Sequence, residues 1–321
     1  MHTILLTRIF QTASDELRRF HQVQSHIGDY PSGITLWFHP LTKDDDGDVL
    51  SLLCSIKVDA LKYFRVENTT ATHIQTLLCH LDKLLSYGGF TLDDMTVSRV
   101  DYCYNCRIKD AKVRQTLFDM LQKCPTKAIY TMRGVKYATS IYSRSKSKVV
   151  NVYDKTAERE AKHRSTGSRM DLPQSYEQDI VRMELQAKTE HLKYMARRGV
   201  ARTVANWINA DTEARYLEKL YGMFPKGDFF TLGQAESLIA SSKHSKTTKN
   251  HLIKFLRIIA KEDMDAAKAQ LSYNTYHRYL TLLGELGVNP ITIPDGRGIP
   301  YIKSPFVFPV PTTRAIPAAS T

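Results

Sequence analysis

No stretch of the sequence reaches the roughly 18 consecutive apolar residues that a membrane-crossing helix needs. The opening MHTILLTRIF carries neither a signal-peptide core nor a cleavage site, so a cytoplasmic protein with no membrane partner is expected. Cysteine is scarce. The five in 321 residues, Cys54, Cys79, Cys103, Cys106 and Cys124, are too few and too scattered for a disulfide framework. Cys103 and Cys106 form a C-x-x-C, but in a strand residues three apart point to opposite faces, and no second pair exists to complete a zinc site. None of the eleven histidines starts the H-x-x-R triplet of a tyrosine recombinase, and no G-F-x-F-type aromatic strand motif favours RNA. Acidic residues are also short, 33 against 45 Lys plus Arg. The net charge of +12 and pI near 9.4 favour an extended anionic partner, nucleic acid first.

What is present is enough apolar residue, 42%, to bury a large core. Residues 33–66 read as strand, acidic turn KDDDGD and strand, a hairpin. HIQTLLCHLDKLL (73–85) repeats its apolar residues at helical spacing and ends at Gly88 and Gly89. A strand at 95–108, a helix near 110–123, two or three strands within 127–153, a charged helix and loop to about 177 and a strand at 179–190 follow. Hairpin-paired strands with interposed helices indicate an α+β fold, a mainly antiparallel sheet with helices on one face. From about Lys193 the pattern turns helical, with segments near 201–222, 231–241, 246–262 and 272–286, so a smaller all-α domain is expected. The expected units are 1–195, 196–290 and a proline-rich tail, 291–321, loose at its end; no internal repeat is visible.

Strand alternation exposes a constellation. Arg99, Asp101, Cys103 and Asn105 face one way, opposite Val100, Tyr102 and Tyr104. Asn151, Tyr153 and Lys155 share a face opposite Val150 and Val152, and Arg182, Glu184, Gln186 and Lys188 share one opposite Val181, Met183, Leu185 and Ala187. Any sheet with one solvated face alternates in this way. The content is what matters: two carboxylates, a tyrosine hydroxyl and several cations. Carboxylates hold a hard divalent ion such as Mg²⁺ or Mn²⁺, Arg99, Arg182 and Lys188 suit phosphate, and a tyrosine oxygen can attack phosphorus. A phenol with pKa about 10 needs help to ionise, and Lys155 and Glu158 in VVNVYDKTAERE are spaced to give it.

At these residues the chain resembles the replication-initiator nickases of rolling-circle elements, most closely the filamentous-phage gene II/X protein family. SRVDYCYN (98–105), VVNVYDKTAERE (149–160), VRMELQAKTEHLKYMARRG (181–199) and YHRYLTLLGELGV (276–288) carry the resemblance in family order, with SIKVDALKYF (55–64) as weaker support. It implies that Tyr153 of the Y-x-K motif attacks DNA, that Asp101 of R-x-D and Glu184 of R-x-E belong to a Mg²⁺ or Mn²⁺ site, and that the protein works in a bacterial host cell. Related plasmid initiators of the carboxylate type carry a further Asp four residues after the first; Asn105 stands there in this chain, which leaves the ligand number open. No His-x-His triplet occurs, so the histidine-pair metal site of the other large nickase class is absent.

The expected activity is site-specific single-strand cleavage and strand transfer that starts and ends rolling-circle replication of a phage or plasmid. The partners are double-stranded origin DNA and the single nicked strand, with a host helicase and polymerase. The rival is a non-catalytic, sequence-specific DNA-binding regulator, which needs neither metal nor tyrosine. Tyr102 and Tyr104 compete with Tyr153 but should pack in the core; Tyr137, Tyr142 and Tyr194 are weaker candidates. In 272–290, Ser272 can cap a helix whose stripe is Tyr276, Tyr279, Leu280, Leu283 and Leu286, leaving Asn274, His277, Arg278 and Thr281 outward for DNA contact.

Overall fold

The computed structural model describes residues 1–124, the backbone of 132–134, and 139–306. Expectations that fall on 125–131, on 135–138 (Tyr137 among them) and on the end of the tail, 307–321, lie outside the described residues. In chain order the elements are β1 (Thr3–Gln11), α1 (Asp15–Ser25), β2 (Ile34–Lys43), β3 (Val49–Asp59), α2 (Ala60–Phe64), α3 (Ala71–Ser86), β4 (Thr96–Arg107) and α4 (Ala111–Leu121). Then come β5 (Met132–Gly134), β6 (Ser140–Arg144), β7 (Lys148–Asp154), α5 (Lys155–Thr166), β8 (Ile180–Ala187), α6 (Thr189–Ala196), α7 (Val204–Trp207) and α8 (Ala210–Tyr221). Last are β9 (Phe229–Phe230), α9 (Leu232–Ser241), α10 (Lys246–Lys261), α11 (Met264–Ala269), α12 (Tyr273–Glu285) and β10 (Tyr301–Ile302).

The first eight strands form one antiparallel sheet in the order β2-β3-β1-β4-β8-β7-β6-β5, so the fold is α+β as the sequence predicts. This order makes β4, β8 and β7 immediate neighbours, and these are the strands that carry the polar constellation. Their opposite face is core: Val100, Tyr102, Val150, Val152, Met183 and Leu185 are all buried there. One irregularity sets the register of β4. Between Leu5 and Leu6 the pairing slips from Arg99 to Val97, so Ser98 is an extra residue whose hydroxyl donates to the Leu5 carbonyl at 3.1 Å. That bulge turns Val97 and Val100 to the same core face while Arg99 and Asp101 keep the other, a local re-aiming that a regular strand cannot give.

The segment 204–221 departs from its expected place in the helical unit. The Tyr102 hydroxyl donates to the Trp207 carbonyl at 2.8 Å, and the Tyr102 ring stacks on Tyr216 at 4.7 Å, so α7 and α8 cover the core face of β4 and β8. An amphipathic helix goes where its apolar stripe finds a partner, and here the sheet offers more than the distal helices do. The first part of the proline-rich tail is folded: Ile291, Ile293 and Ile302 are buried, and β10 pairs with β9, while the end expected to be loose lies outside the described residues. In α12 the forecast faces hold, with Tyr276, Tyr279 and Leu283 buried and Asn274, His277, Arg278 and Thr281 exposed.

The junction of β7 and α5 is anchored from below. Asp154 caps α5 by accepting the Ala157 N–H at 3.2 Å, and its other oxygen accepts from Arg114 Nε of α4 at 2.7 Å, both side chains being buried. Asp154→Ala removes a cap and one of the two carboxylates that hold the buried Arg114, which keeps Asp179 at 2.8 Å, so urea unfolding should show a loss of about 2 kcal/mol or more. Asp15→Ala, which breaks an exposed 2.8 Å pair with Arg18, should change stability by less than about 1 kcal/mol. Equal losses would mean that the buried pair does not anchor the junction.

Candidate active site

Register builds the site. Across β4, β8 and β7 one row is Asn105, Arg182 and Tyr153, and the next is Cys103, Glu184 and Asn151, while Asp101 lies opposite Gln186 and, on β1, Thr3. Because side chains alternate, Asp101, Glu184 and Tyr153 all rise on the polar face. They line a cavity of about 580 Å³ together with Arg99, Asn151, Lys155 and Glu158. The Tyr153 hydroxyl donates to Glu184 Oε2 at 3.3 Å.

Two residues that sequence reasoning missed complete the group. His2 offers a nitrogen that lies with one oxygen each of Asp101 and Glu184 inside a 4.8 Å cluster, the spacing of a shared cation site. His2 Nδ1 is 3.3 Å from Glu184 Oε2 and Nε2 is 3.3 Å from Asp59 Oδ2. No spacing signal could have found it: His2 precedes β1, so strand alternation does not fix where its ring turns, and backbone bonds to the Asp101 carbonyl and from the Ala60 N–H hold it in place. Asp59, at the end of β3, also caps α2 through the Lys62 N–H at 3.0 Å.

The donor set fits a hard divalent ion. Arg99 grips Asp101 in a two-pronged fork at 2.7 and 2.6 Å, yet each carboxylate oxygen keeps a second lone pair free for a metal. Two carboxylates with one imidazole suit Mn²⁺ as well as Mg²⁺, because nitrogen is tolerated better by the softer ion. Electrostatics points the same way. Burial and the facing Glu184 raise the Asp101 carboxyl to about 6, against the pull of Arg99. Glu184, equally dry, is held well below the usual carboxylate range by His2, Gln186 and Arg182, which outweigh its burial. Asp59 is also held low, since His2 and the Lys62 N–H overcome its burial. Burial and Glu184 push the Tyr153 phenol well above its ordinary value, with Arg182 opposing.

The other predicted residues divide. Lys155 is buried at the start of α5, its ammonium 2.7 Å from Glu158 Oε2, 3.7 Å from Glu177 Oε1 and 5.9 Å from the centre of the Tyr153 ring. Burial and Arg182 lower its pKa. Arg182 does not reach the cavity as a phosphate ligand. It is 2% exposed, donates to Asn105 Oδ1 at 2.8 Å and meets His2 Nε2 at 3.2 Å, so its charge acts from beneath. Lys188 is outside the cavity lining, at the N-cap of α6. Arg278 is exposed on α12 over the Tyr279 ring. Tyr102 is buried on the opposite face, Tyr104 packs edge-on to Tyr221 at 6.0 Å, and Tyr194 sits under Arg198 on α6, whereas Tyr142 lines the same cavity as Tyr153. Cys103 and Cys106 are free thiols, and the metal-spaced cluster found among the described residues contains no cysteine.

Residues 65–210 match the family model for the N-terminal part of the phage gene II replication-associated protein. The match supports a gene II-type rolling-circle replication initiator family, as the motifs suggest, and implies a replication initiation protein. It spans Asp101, Tyr153 and Glu184, while His2, Asp59 and α9 to α12 lie beyond it. No curated protein and no solved structure matches the chain. Among the described residues no helix is long and apolar enough to cross a membrane.

Proton and metal compete for Asp101. Its folded pKa of about 6 exceeds the ordinary 3.8, so without metal its contribution to stability is full below about pH 4 and is lost as pH rises through 6. Metal binding has the opposite sign, because the ligand must lose its proton. Mn²⁺ affinity measured by calorimetry should rise steeply as pH climbs through 6, where Asp101 loses its proton. It should keep rising above that, because the His2 imidazole, its pKa raised against burial by Asp59 and Glu184, must also be neutral to bind. His2→Ala should weaken binding about tenfold or more. An affinity that is flat across this range, or untouched by His2→Ala, would remove that residue from the ligand set.

Proposed function

We propose that this chain, whose segment 65–210 matches the phage replication-associated family, is a metal-dependent, site-specific single-strand DNA endonuclease and strand transferase that initiates and terminates rolling-circle replication. The observation that carries this reading is the 3.3 Å hydrogen bond from the Tyr153 hydroxyl to Glu184, a member of the cation-spaced cluster with His2 and Asp101. A regulator that only binds DNA has no use for a phenol aimed at a metal ligand set.

His2, Asp101 and Glu184 would hold Mg²⁺ or Mn²⁺, which when bound polarises a phosphodiester and stabilises charge on its oxygens. Glu184 orients the Tyr153 hydroxyl; as the phenol oxygen attacks phosphorus its proton leaves to solvent, the bond to the 3′ oxygen breaks with that oxygen taking a proton from solvent, and the 5′ phosphate remains on the tyrosine. The Lys155 ammonium favours the phenolate by charge, and Glu158 keeps that ammonium in position. Arg99, partly exposed at the cavity wall, is a cation available to a phosphate oxygen there, and Lys57, Lys62 and Lys162 line the same cavity. The 3′ hydroxyl left behind primes a host polymerase while a host helicase opens the duplex, and the bond energy kept in the phosphotyrosine lets the same site rejoin the strand without ATP.

A single-stranded oligonucleotide covering the origin nick, labelled 3′ of the cut, tests the nucleophile by denaturing electrophoresis. The protein with Mn²⁺ should yield a protein-sized labelled band; Tyr153→Phe should yield none while binding DNA with affinity unchanged within about threefold, since only a hydroxyl is lost. Tyr142→Phe, Tyr102→Phe and Tyr104→Phe should keep the band. An adduct on Tyr153→Phe would assign the chemistry to another tyrosine, and no adduct with either metal would return the chain to the regulator reading.

Asp101→Ala and Glu184→Ala should each lower nicking of supercoiled origin DNA by about a hundredfold or more while binding persists, since the carboxylates serve the ion rather than the DNA backbone. Binding itself should weaken steeply with salt because it rests on counterion release. Loss of binding and cleavage together in folded variants would count against a metal role.

A further inference from the structure

On the proposed reading the cavity acts on a single strand, yet an initiator must first find its site in duplex DNA, and α9 and α10 have the form of a device for that. Four residues, 242–245, join α9 to the 16-residue α10, and two side-chain contacts tie the helices together. Lys249 Nζ donates to the Ala240 carbonyl at 2.7 Å, and Arg257 forks Glu236 at 2.7 and 3.0 Å. The inner face of α10, Leu252, Phe255, Leu256 and Ile259, is buried in the helical core. Its outer face, Lys246, Thr247, Asn250, His251 and Lys254, is exposed, and the helix contains no acidic residue. At about 1.5 Å per residue such a helix is roughly 24 Å long, and a major groove about 12 Å wide admits it.

We propose that α9 and α10 are a helix-turn-helix that reads duplex DNA, with the first half of α10 in the major groove, Asn250 and Lys246 toward base edges and Lys254 toward phosphate. The chemistry is specific: Asn pairs in two-pronged fashion with adenine, Lys with guanine, and a helix without carboxylates meets no repulsion from the backbone. Helix α12, read from the sequence as the DNA-facing helix, is a poorer fit, since its outer face carries the single cation Arg278 and ends at Glu285. The proposal rests on the initiator reading only for the identity of the duplex, which would be the origin.

The test uses the full chain and a pool of random-sequence duplexes in chelator, so that nothing is cut. Selection should return one motif, bound in fluorescence anisotropy at least a hundredfold more tightly than a scrambled duplex. Asn250→Ala should flatten the preference at one position by about tenfold or more. Lys246→Ala with Lys254→Ala should weaken binding and reduce the slope of log affinity against log salt by about two. No selected motif, a motif bound equally by these variants, or one lost only in Arg278→Ala would overturn the proposal. A chain that forms the Tyr153 adduct but selects no duplex refutes this inference alone; one that selects a duplex but forms no adduct supports it and refutes the nickase reading alone.

Discussion

Two carboxylates in an almost dry layer repel each other, and the polar side of the sheet is arranged around that repulsion. Asp101 and Glu184 are 1% and 3% exposed, so water screens neither. The protein splits the pair instead of neutralising it fully: Glu184 receives His2, Gln186 and the field of Arg182 and stays charged, while Asp101 has Arg99 and rises toward neutrality. The buried guanidinium of Arg182 is thus more than an ion-pair partner. Held by Asn105 of its own row, it supplies positive charge to Glu184, Asp59 and Tyr153 at once, without lining the cavity. Such a layer is costly to fold and ready to take up a cation, as expected where stability is exchanged for function.

Much of this is legible in the sequence because strands announce their faces. With β4, β7 and β8 read as strands, alternation puts Asp101, Tyr153 and Glu184 on one side, and the sheet order then makes them neighbours. What alternation cannot supply is pairing. His2 enters the site beside β1, which pairs with the distant β4, and Asp59 enters through β3, which pairs with β1, and a residue just outside a strand has no face to be assigned. The bulge at Ser98 is equally hidden, since a slipped register shows only when a partner strand is present. Arg182 marks a related gap: alternation puts a cation on the polar face but does not tell that it is buried beneath the cavity rather than lining it.

The helices are legible, but not their allegiance. The pattern of α8 gives an apolar stripe with Tyr216, Leu217 and Leu220, and nothing in that stripe says whether sheet or helices will receive it. Packing decides, through the Tyr102 and Tyr216 stack. The distal helices α9 to α12 are fastened to the sheet domain at one corner, where Lys123, just past α4, bonds the Ile259 and Ala260 carbonyls and its own carbonyl receives the Met264 N–H. That fastening brings the end of α10 to the end of α4, the helix whose Arg114 anchors the strand of Tyr153.

The anchored junction after Tyr153 also bears on twisting. Tyr153 lies between Ser140 and Arg182 of the adjoining strands, and the next residue is both a helix cap and half of a buried ion pair. Backbone so constrained cannot act as a hinge. If this tyrosine carries a DNA end, the torsion released from a supercoiled circle finds no swivel in the protein and must dissipate through rotation about the bonds of the intact strand opposite the nick, while the captured end stays where it was cut.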